Sequence, residues 1–202
     1  FYHEDLPDGI TGSGQWILKT VIDFLEGKGL NVLYGDTDSL FVQLPNYEDY
    51  NGQAKKLVSE VNTFLTDKLE KDFAVESHLE IQYDKFFKTL ILTSTRGMDE
   101  GAKKRYAGLA EKEIDGKKVE EIILTGMEYV RSGWSMLARN FQYELVRRVF
   151  YGEDVQDYID SVLKKLEAHE LDDQLVLSKR LSKPLSEYVK NVPPHARAAK
   201  IL

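Results

Sequence analysis

The sequence predicts an α+β fold, a mixed front of helices and strands followed by an all-helical back. Three observations carry this. Apolar residues recur at helical spacing from about Gly14 to Gly27 and over residues 52–73. β-prone runs occupy residues 30–44, 79–94, 104–113 and 118–124. After Gly126 only helical periodicity remains. The boundary between the two halves is expected near residue 125.

Residues 1–12, rich in Asp, Gly and Pro, read as a loop. The first helix is carried by Ile17, Leu18, Val21, Ile22 and Leu25, and glycines close it. Residues 30–44 hold two apolar arms around Gly35-Asp36-Thr37-Asp38, which predicts a β-hairpin. Ala54, Leu57, Val58, Val61, Phe64, Leu65 and Leu69 line one face of the second helix. In the strand predicted over 79–94, Leu79, Ile81 and Tyr83 alternate with Glu80, Gln82 and Asp84. A polar loop follows from Thr95 to Ala102. Asp115-Gly116 between the last two strands is a hairpin-turn signal.

In the helical half, Trp134, Leu137, Ala138, Phe141, Leu145 and Val149 mark one long helix. Val155, Tyr158, Ile159, Val162, Leu163 and Leu166 mark a second, with the Gly152 region between them. Trp134, Phe141 and Tyr158 fall on these stripes and are read as core. Pro184 and Pro193-Pro194 stand where short helices could begin, since a first turn tolerates proline.

Bulk properties narrow the function classes. The chain has 202 residues, enough for one sizeable domain or two small ones. At 42% hydrophobic it can bury a core. No apolar run approaches the roughly 18–20 residues that span a bilayer. The opening FYHEDLPDGI has neither the basic start nor the apolar stretch of a signal peptide. Absence of cysteine excludes a disulfide scaffold and a thiolate zinc site. A cytoplasmic location is expected.

The net charge of −7 argues by itself against nucleic acid. The average hides a segregation. Residues 1–125 hold 15 Lys and Arg against 23 Asp and Glu, whereas residues 126–202 hold 12 against 11. Residues 174–202 carry six cations (Lys179, Arg180, Lys183, Lys190, Arg197, Lys200) and one acid, Glu187. Ordinary scatter of solvated charge is the bland reading of this pattern.

The chemistry centres on Tyr34-Gly35-Asp36-Thr37-Asp38-Ser39. Two carboxylates two residues apart at a hairpin tip can contribute to a site for a hard cation such as Mg²⁺, which takes one or two carboxylates, waters and substrate phosphates. A bare Asp-x-Asp is more often a turn element, because the Asp side chain bonds nearby backbone. An EF-hand is excluded, since positions 36–47 lack its glycine and terminal Glu.

The whole hexapeptide between apolar strands resembles motif C of the family B DNA polymerases. Lys103-Lys104-Arg105-Tyr106-Ala107-Gly108 resembles that family's KKRYAG palm segment. Gly126-Met127-Glu128-Tyr129-Val130-Arg131, with Trp134 beyond, resembles the segment leading into the thumb. Pro184-Leu185-Ser186-Glu187-Tyr188 and Val192-Pro193-Pro194-His195 resemble the late thumb. Four ordered signatures thus cover nearly the whole chain, and within the family they are most similar to the bacterial DNA polymerase II group.

The resemblance implies the second half of a polymerase palm over residues 1–125 and a thumb over 126–202. It implies a bacterial, nucleoid-associated enzyme that transfers deoxynucleotides from their triphosphates to a primer 3′-hydroxyl, with two Mg²⁺ ions. Asp38 would be a principal metal ligand and Asp36 a less direct one, supported by Tyr34, Gly35, Thr37 and Ser39. Lys104 and Tyr106, with Lys103 and Arg105, would meet primer–template DNA near its end. Arg131, Lys179, Arg180, Lys190 and Arg197 would contact phosphates, with His195 as a further candidate. A sliding clamp is a partner by family, although no clamp-binding tail is legible. Motifs A and B are absent from these 202 residues, so the chain alone is expected not to polymerise.

Two departures from the family pattern stand out. Gln82 occupies a position that often carries an acid, while Glu80 remains. Gly133 replaces an acid before the thumb helix, which removes a helix-capping carboxylate. Other readings stay open. A glycosyltransferase also uses Asp-x-Asp but would want a nucleotide-binding βαβ unit upstream. A reverse transcriptase would place two aspartates side by side, whereas Thr37 separates these. A non-catalytic duplex-binding module is the remaining alternative.

Overall fold

The first helix begins earlier than the sequence suggests. In the computed structural model, which describes residues 3, 5–46, 48–94, 101–114 and 117–201 (side chains 94, 101–103 and 113 apart), α1 runs Leu6–Gly27. Residues 6–12 of the predicted loop are thus helix. Pro7 sits in the first turn, where its missing N–H costs no helical bond. The Thr11 and Ser13 hydroxyls donate back to the Pro7 and Gly9 carbonyls, one turn earlier in the helix. A β-carbon on Gly9 or Gly12 would touch nothing, so both glycines are tolerated on an open face.

The hairpin follows as β1 Asn31–Asp36 and β2 Ser39–Gln43, paired antiparallel. Helix α2 covers Tyr50–Phe73, and the Asp49 carboxylate accepts from the Gly52 amide at its N-terminus. The strand expected over 79–94 forms only from Phe86, as β3 Phe86–Ser94. Upstream, the Asn62 side chain takes both backbone groups of Ile81: the Ile81 amide donates to Oδ1 at 2.8 Å and Nδ2 donates to the Ile81 carbonyl at 2.9 Å. An amide clamp replaces a strand ladder there. The alternation survives as burial in part: Ile81 and Tyr83 are half-buried between exposed Gln82 and Asp84, whereas Leu79 is exposed. Burial, aided by Tyr50, Asp84 and Glu111, pushes the Tyr83 hydroxyl up to about 12.

Strands β4 Gly101–Ile114 and β5 Lys117–Thr125 complete a sheet of order β3-β4-β5. The Asp115-Gly116 turn signal and most of the 95–102 loop lie outside the described residues. Three helices follow: α3 Met136–Tyr151, α4 Gln156–Glu167 and α5 Pro194–Ile201. Gly152, in the left-handed region, closes α3. The two proline signals are borne out by a 3₁₀ turn after Pro184 and by α5 starting at Pro194. The α+β class is as predicted.

Two compact units divide the chain. One is Phe1–Phe86, Ser94–Lys103 and Glu111–Val119; the other is Phe87–Thr93, Lys104–Ala110 and Glu120–Leu202. The division runs through β3, β4 and β5. In the first unit Val21 and Leu25 of α1 meet Val61 and Leu65 of α2, and Val32, Leu40 and Val42 of the hairpin pack against them. The stripes read from the sequence are therefore the core. In the second unit Ala107, Leu124, Met127 and Val146 form the centre, with Ile91, Tyr129 and Tyr143 around it.

Candidate functional site

The hairpin belongs to the first unit. Its register shifts between Val32, opposite Val42, and Tyr34, opposite Phe41, so Leu33 is an extra residue. Bulges of this kind re-aim the residues that follow them. Here the shift brings Asp36 opposite Ser39 and leaves Thr37 and Asp38 as the tip. Thr37 has φ +55°, uncommon for a β-branched residue. The Asp38 amide donates to the Asp36 carbonyl at 2.6 Å and closes the tip. The Ser39 hydroxyl donates to that same carbonyl. Gly35 leaves room for Leu40: a β-carbon would stand 2.9 Å from Leu40 Cδ2.

The two carboxylates are held differently. Asp36 is half-buried, and its Oδ1 accepts from the Thr37 hydroxyl at 3.0 Å. Asp38 is exposed, and its carboxylate makes no hydrogen bond or ion pair among the described residues. Among these residues no group of three or more potential ligand side chains is assembled. The hairpin therefore offers hard oxygen donors that suit Mg²⁺ but only part of a coordination sphere, which this ion accepts when waters and phosphates supply the rest.

The second unit holds the remaining predicted residues, apart from Lys103, whose side chain lies outside the described residues. Lys104 is exposed, with φ +61°. Gly126 lies directly against it: a β-carbon there would stand 1.9 Å from the Lys104 carbonyl oxygen. Tyr106 is half-buried with its ring edge-on to Phe87. Ala107 is wholly buried, and a β-carbon on Gly108 would collide with the Phe87 ring at 2.3 Å. The small residues of KKRYAG thus answer to packing.

Arg105 is not an open cation. Its Nη2 donates to Glu128 Oε1 at 2.8 Å, and Gln142 Nε2 donates to Glu128 Oε2 at 2.5 Å. The Gln142 carbonyl oxygen in turn accepts from the Tyr129 amide. The Gln142 hydrogen bond first, then the Glu128 backbone amide and Arg105, hold the Glu128 carboxyl below its ordinary range. Sequence reasoning gave Glu128 no role of its own and missed Gln142. Nothing in the spacing of residues 105, 128 and 142 signals that they meet.

Four predicted phosphate contacts, Arg131, Lys179, Arg180 and Lys190, are exposed and make no ion pair among the described residues. Arg197 Nε donates to the Val192 carbonyl. Two expectations about α3 need correction. Trp134 is not core: it precedes the helix and is 48% exposed. The missing acid at Gly133 does not leave α3 uncapped, because the Ser135 hydroxyl accepts from the Ala138 amide. Phe141 and Tyr158 do pack, stacked on each other at 5.5 Å.

A family profile described as DNA polymerase family B matches residues 11–202. The chain belongs to that family. It is 41% identical to DNA polymerase II of Escherichia coli K12 across its whole length, which is 25% of that protein. It is 32% identical to DNA polymerase 2 of Aeropyrum pernix, again over the whole chain and 22% of the relative. Over 98% of the chain it is 29% identical to the DNA polymerase alpha catalytic subunit of Arabidopsis thaliana, of which it covers 13%. The chain thus spans a quarter or less of the length of these curated relatives. Among the described residues no helix is long and apolar enough to cross a membrane.

Proposed function

We propose that this chain works as the C-terminal palm, residues 1–125, and the thumb, residues 126–202, of a DNA-directed DNA polymerase. In the full-length enzyme the primer 3′-oxygen attacks the α-phosphorus of a deoxynucleoside triphosphate, and the bond to pyrophosphate breaks. The observation that carries this reading is the hairpin tip: Asp38 presents an exposed carboxylate, unengaged among the described residues, on a closed turn beside a half-buried Asp36. Asp38 would hold Mg²⁺ directly, and Asp36 would add negative charge and orient the tip through Thr37. Bound Mg²⁺ supplies charge stabilisation at the attacking and leaving oxygens.

The other residues grip the duplex. Lys104 and Tyr106 sit at the primer end, where minor-groove acceptors common to every pair allow a check of pair shape without reading sequence. Lys103 and Arg105 support that contact. Arg131, Lys179, Arg180, Lys190 and Arg197 neutralise phosphates, giving sequence-independent binding. Deoxynucleoside triphosphates and primer–template DNA are the substrates, and a sliding clamp is a further partner in this reading.

The test is primer extension by the full-length protein with Mg²⁺ and four deoxynucleotides. Asp38→Ala is expected to lose about 1,000-fold or more in rate, some 4 kcal/mol of barrier, while still binding duplex. Normal extension by the variant would reduce Asp38 to a turn residue and leave a duplex-binding module as the better account.

A further inference from the structure

We propose that Glu128 is a positioning residue for the primer-end grip, holding Lys104 in its left-handed conformation through Arg105. The inference rests on the polymerase reading above and assigns a role to an acid that touches no substrate.

Lys104 has φ +61°, a conformation that costs a non-glycine residue free energy and persists only where its surroundings enforce it. The surroundings here can be named. On one side Gly126, itself at φ +63°, brings its backbone against the Lys104 carbonyl, closer than any side chain would permit. On the other side the next residue, Arg105, is pinned twice. Its carbonyl accepts from the Thr93 hydroxyl at 3.1 Å, and its guanidinium is paired with Glu128 at 2.8 Å. Glu128 cannot swing to follow a moving Arg105, because its second oxygen is taken by Gln142, which is anchored to the Tyr129 backbone. The chain of contacts runs from α3 through Gln142 and Glu128 to Arg105, and the strained residue is its neighbour.

Removing the Glu128 carboxylate leaves a partly buried guanidinium without its partner, and of the two pins on Arg105 only the Thr93 hydrogen bond to its carbonyl remains, so the backbone at 104–105 is held less tightly. The Lys104 ammonium would then leave the position from which it donates to the groove. Glu128 is 19% exposed at its side chain and Arg105 34%, so the pair is sheltered enough for water to replace it poorly.

The experiment uses the full-length protein and a primer–template whose terminal pair carries either adenine or 3-deazaadenine, which lacks the minor-groove N3 acceptor. Wild type is expected to bind the 3-deaza duplex about tenfold more weakly, the worth of one hydrogen bond to a charged donor. Glu128→Ala should bind the normal duplex about tenfold more weakly and lose most of its preference for it over the 3-deaza duplex. Nucleotide KM at saturating duplex should stay within about twofold of wild type, and Arg105→Ala combined with Glu128→Ala should be no worse than the weaker-binding single variant. Glu128→Gln, which keeps the volume and one acceptor, should fall between wild type and Glu128→Ala. A tenfold 3-deaza penalty retained by both Glu128 variants would overturn the inference, as would parallel loss of duplex binding, nucleotide KM and thermal midpoint. If instead wild type shows no penalty and extends no primer, it is the polymerase reading that fails.

Discussion

A methyl group on Gly126 would stand 1.9 Å from the Lys104 carbonyl oxygen, on a backbone at φ +63° that favours glycine. Gly126→Ala is expected to cost roughly 2–4 kcal/mol, from the left-handed conformation plus the forced shift of packed backbone. A urea midpoint lowered accordingly, with an unchanged slope, checks this. At the hairpin tip the two aspartates differ in kind. Asp36 is engaged by Thr37, whereas Asp38 is unengaged among the described residues, so each substitution removes something different. The hexapeptide Tyr34–Ser39 is legible in the sequence because turn chemistry is local. The extra residue Leu33, which sets Asp36 opposite Ser39, is not, because register emerges only from the pairing of two strands.

Among the elements, helix and strand periods located the helices and five strands well, with the front of α1 and residues 79–85 as exceptions. At residues 79–85 the misreading has a physical reason: a side chain supplied the backbone hydrogen bonds that local propensity does not include. Asn62 replaces a strand partner for Ile81. Asn62→Ala would leave both Ile81 backbone groups without that partner and is expected to destabilise by about 1–3 kcal/mol, read as a lowered thermal midpoint. At the end of α3, Arg147 and then Arg148 hold Glu144 below the ordinary carboxylate range, and Arg147 does the same for Glu153. Folding lowers these values, so the stability they contribute is present above the unfolded value near 4.5 and is lost as pH falls below it. Between pH 7 and 5 the thermal midpoint should hardly move on their account, then fall below about pH 4.5. Glu144→Gln should flatten that acid limb in a pH series of melting curves.

For the molecule as a whole, composition alone pointed away from DNA. The charge of −7 is an average over a front at 15 against 23 and a back at 12 against 11. Arg131, Lys179, Arg180 and Lys190 are among the exposed cations of the second unit that have no ion pair among the described residues, while Arg105, Arg147 and Arg148 are committed to carboxylates. Sequence could count these charges but could not sort the free from the committed, since pairs such as Arg105 with Glu128 join distant positions. If the free set grips phosphate, Lys179→Gln with Arg180→Gln should weaken duplex binding by the full-length protein irrespective of sequence. It should also lower the magnitude of the log–log salt slope by about 2. An unchanged slope would remove both residues from the interface.

The most direct test of the central claim compares Asp38→Asn with Asp36→Asn in single-turnover nucleotide insertion by the full-length protein, at saturating duplex and Mg²⁺. Asp38→Asn is expected to lose about 1,000-fold or more in insertion rate. Asp36→Asn should retain clearly more activity, because its carboxylate acts partly through Thr37. Insertion by Asp38→Asn at the wild-type rate, or a larger loss from Asp36→Asn, would contradict the assignment of the exposed tip carboxylate as the principal metal ligand.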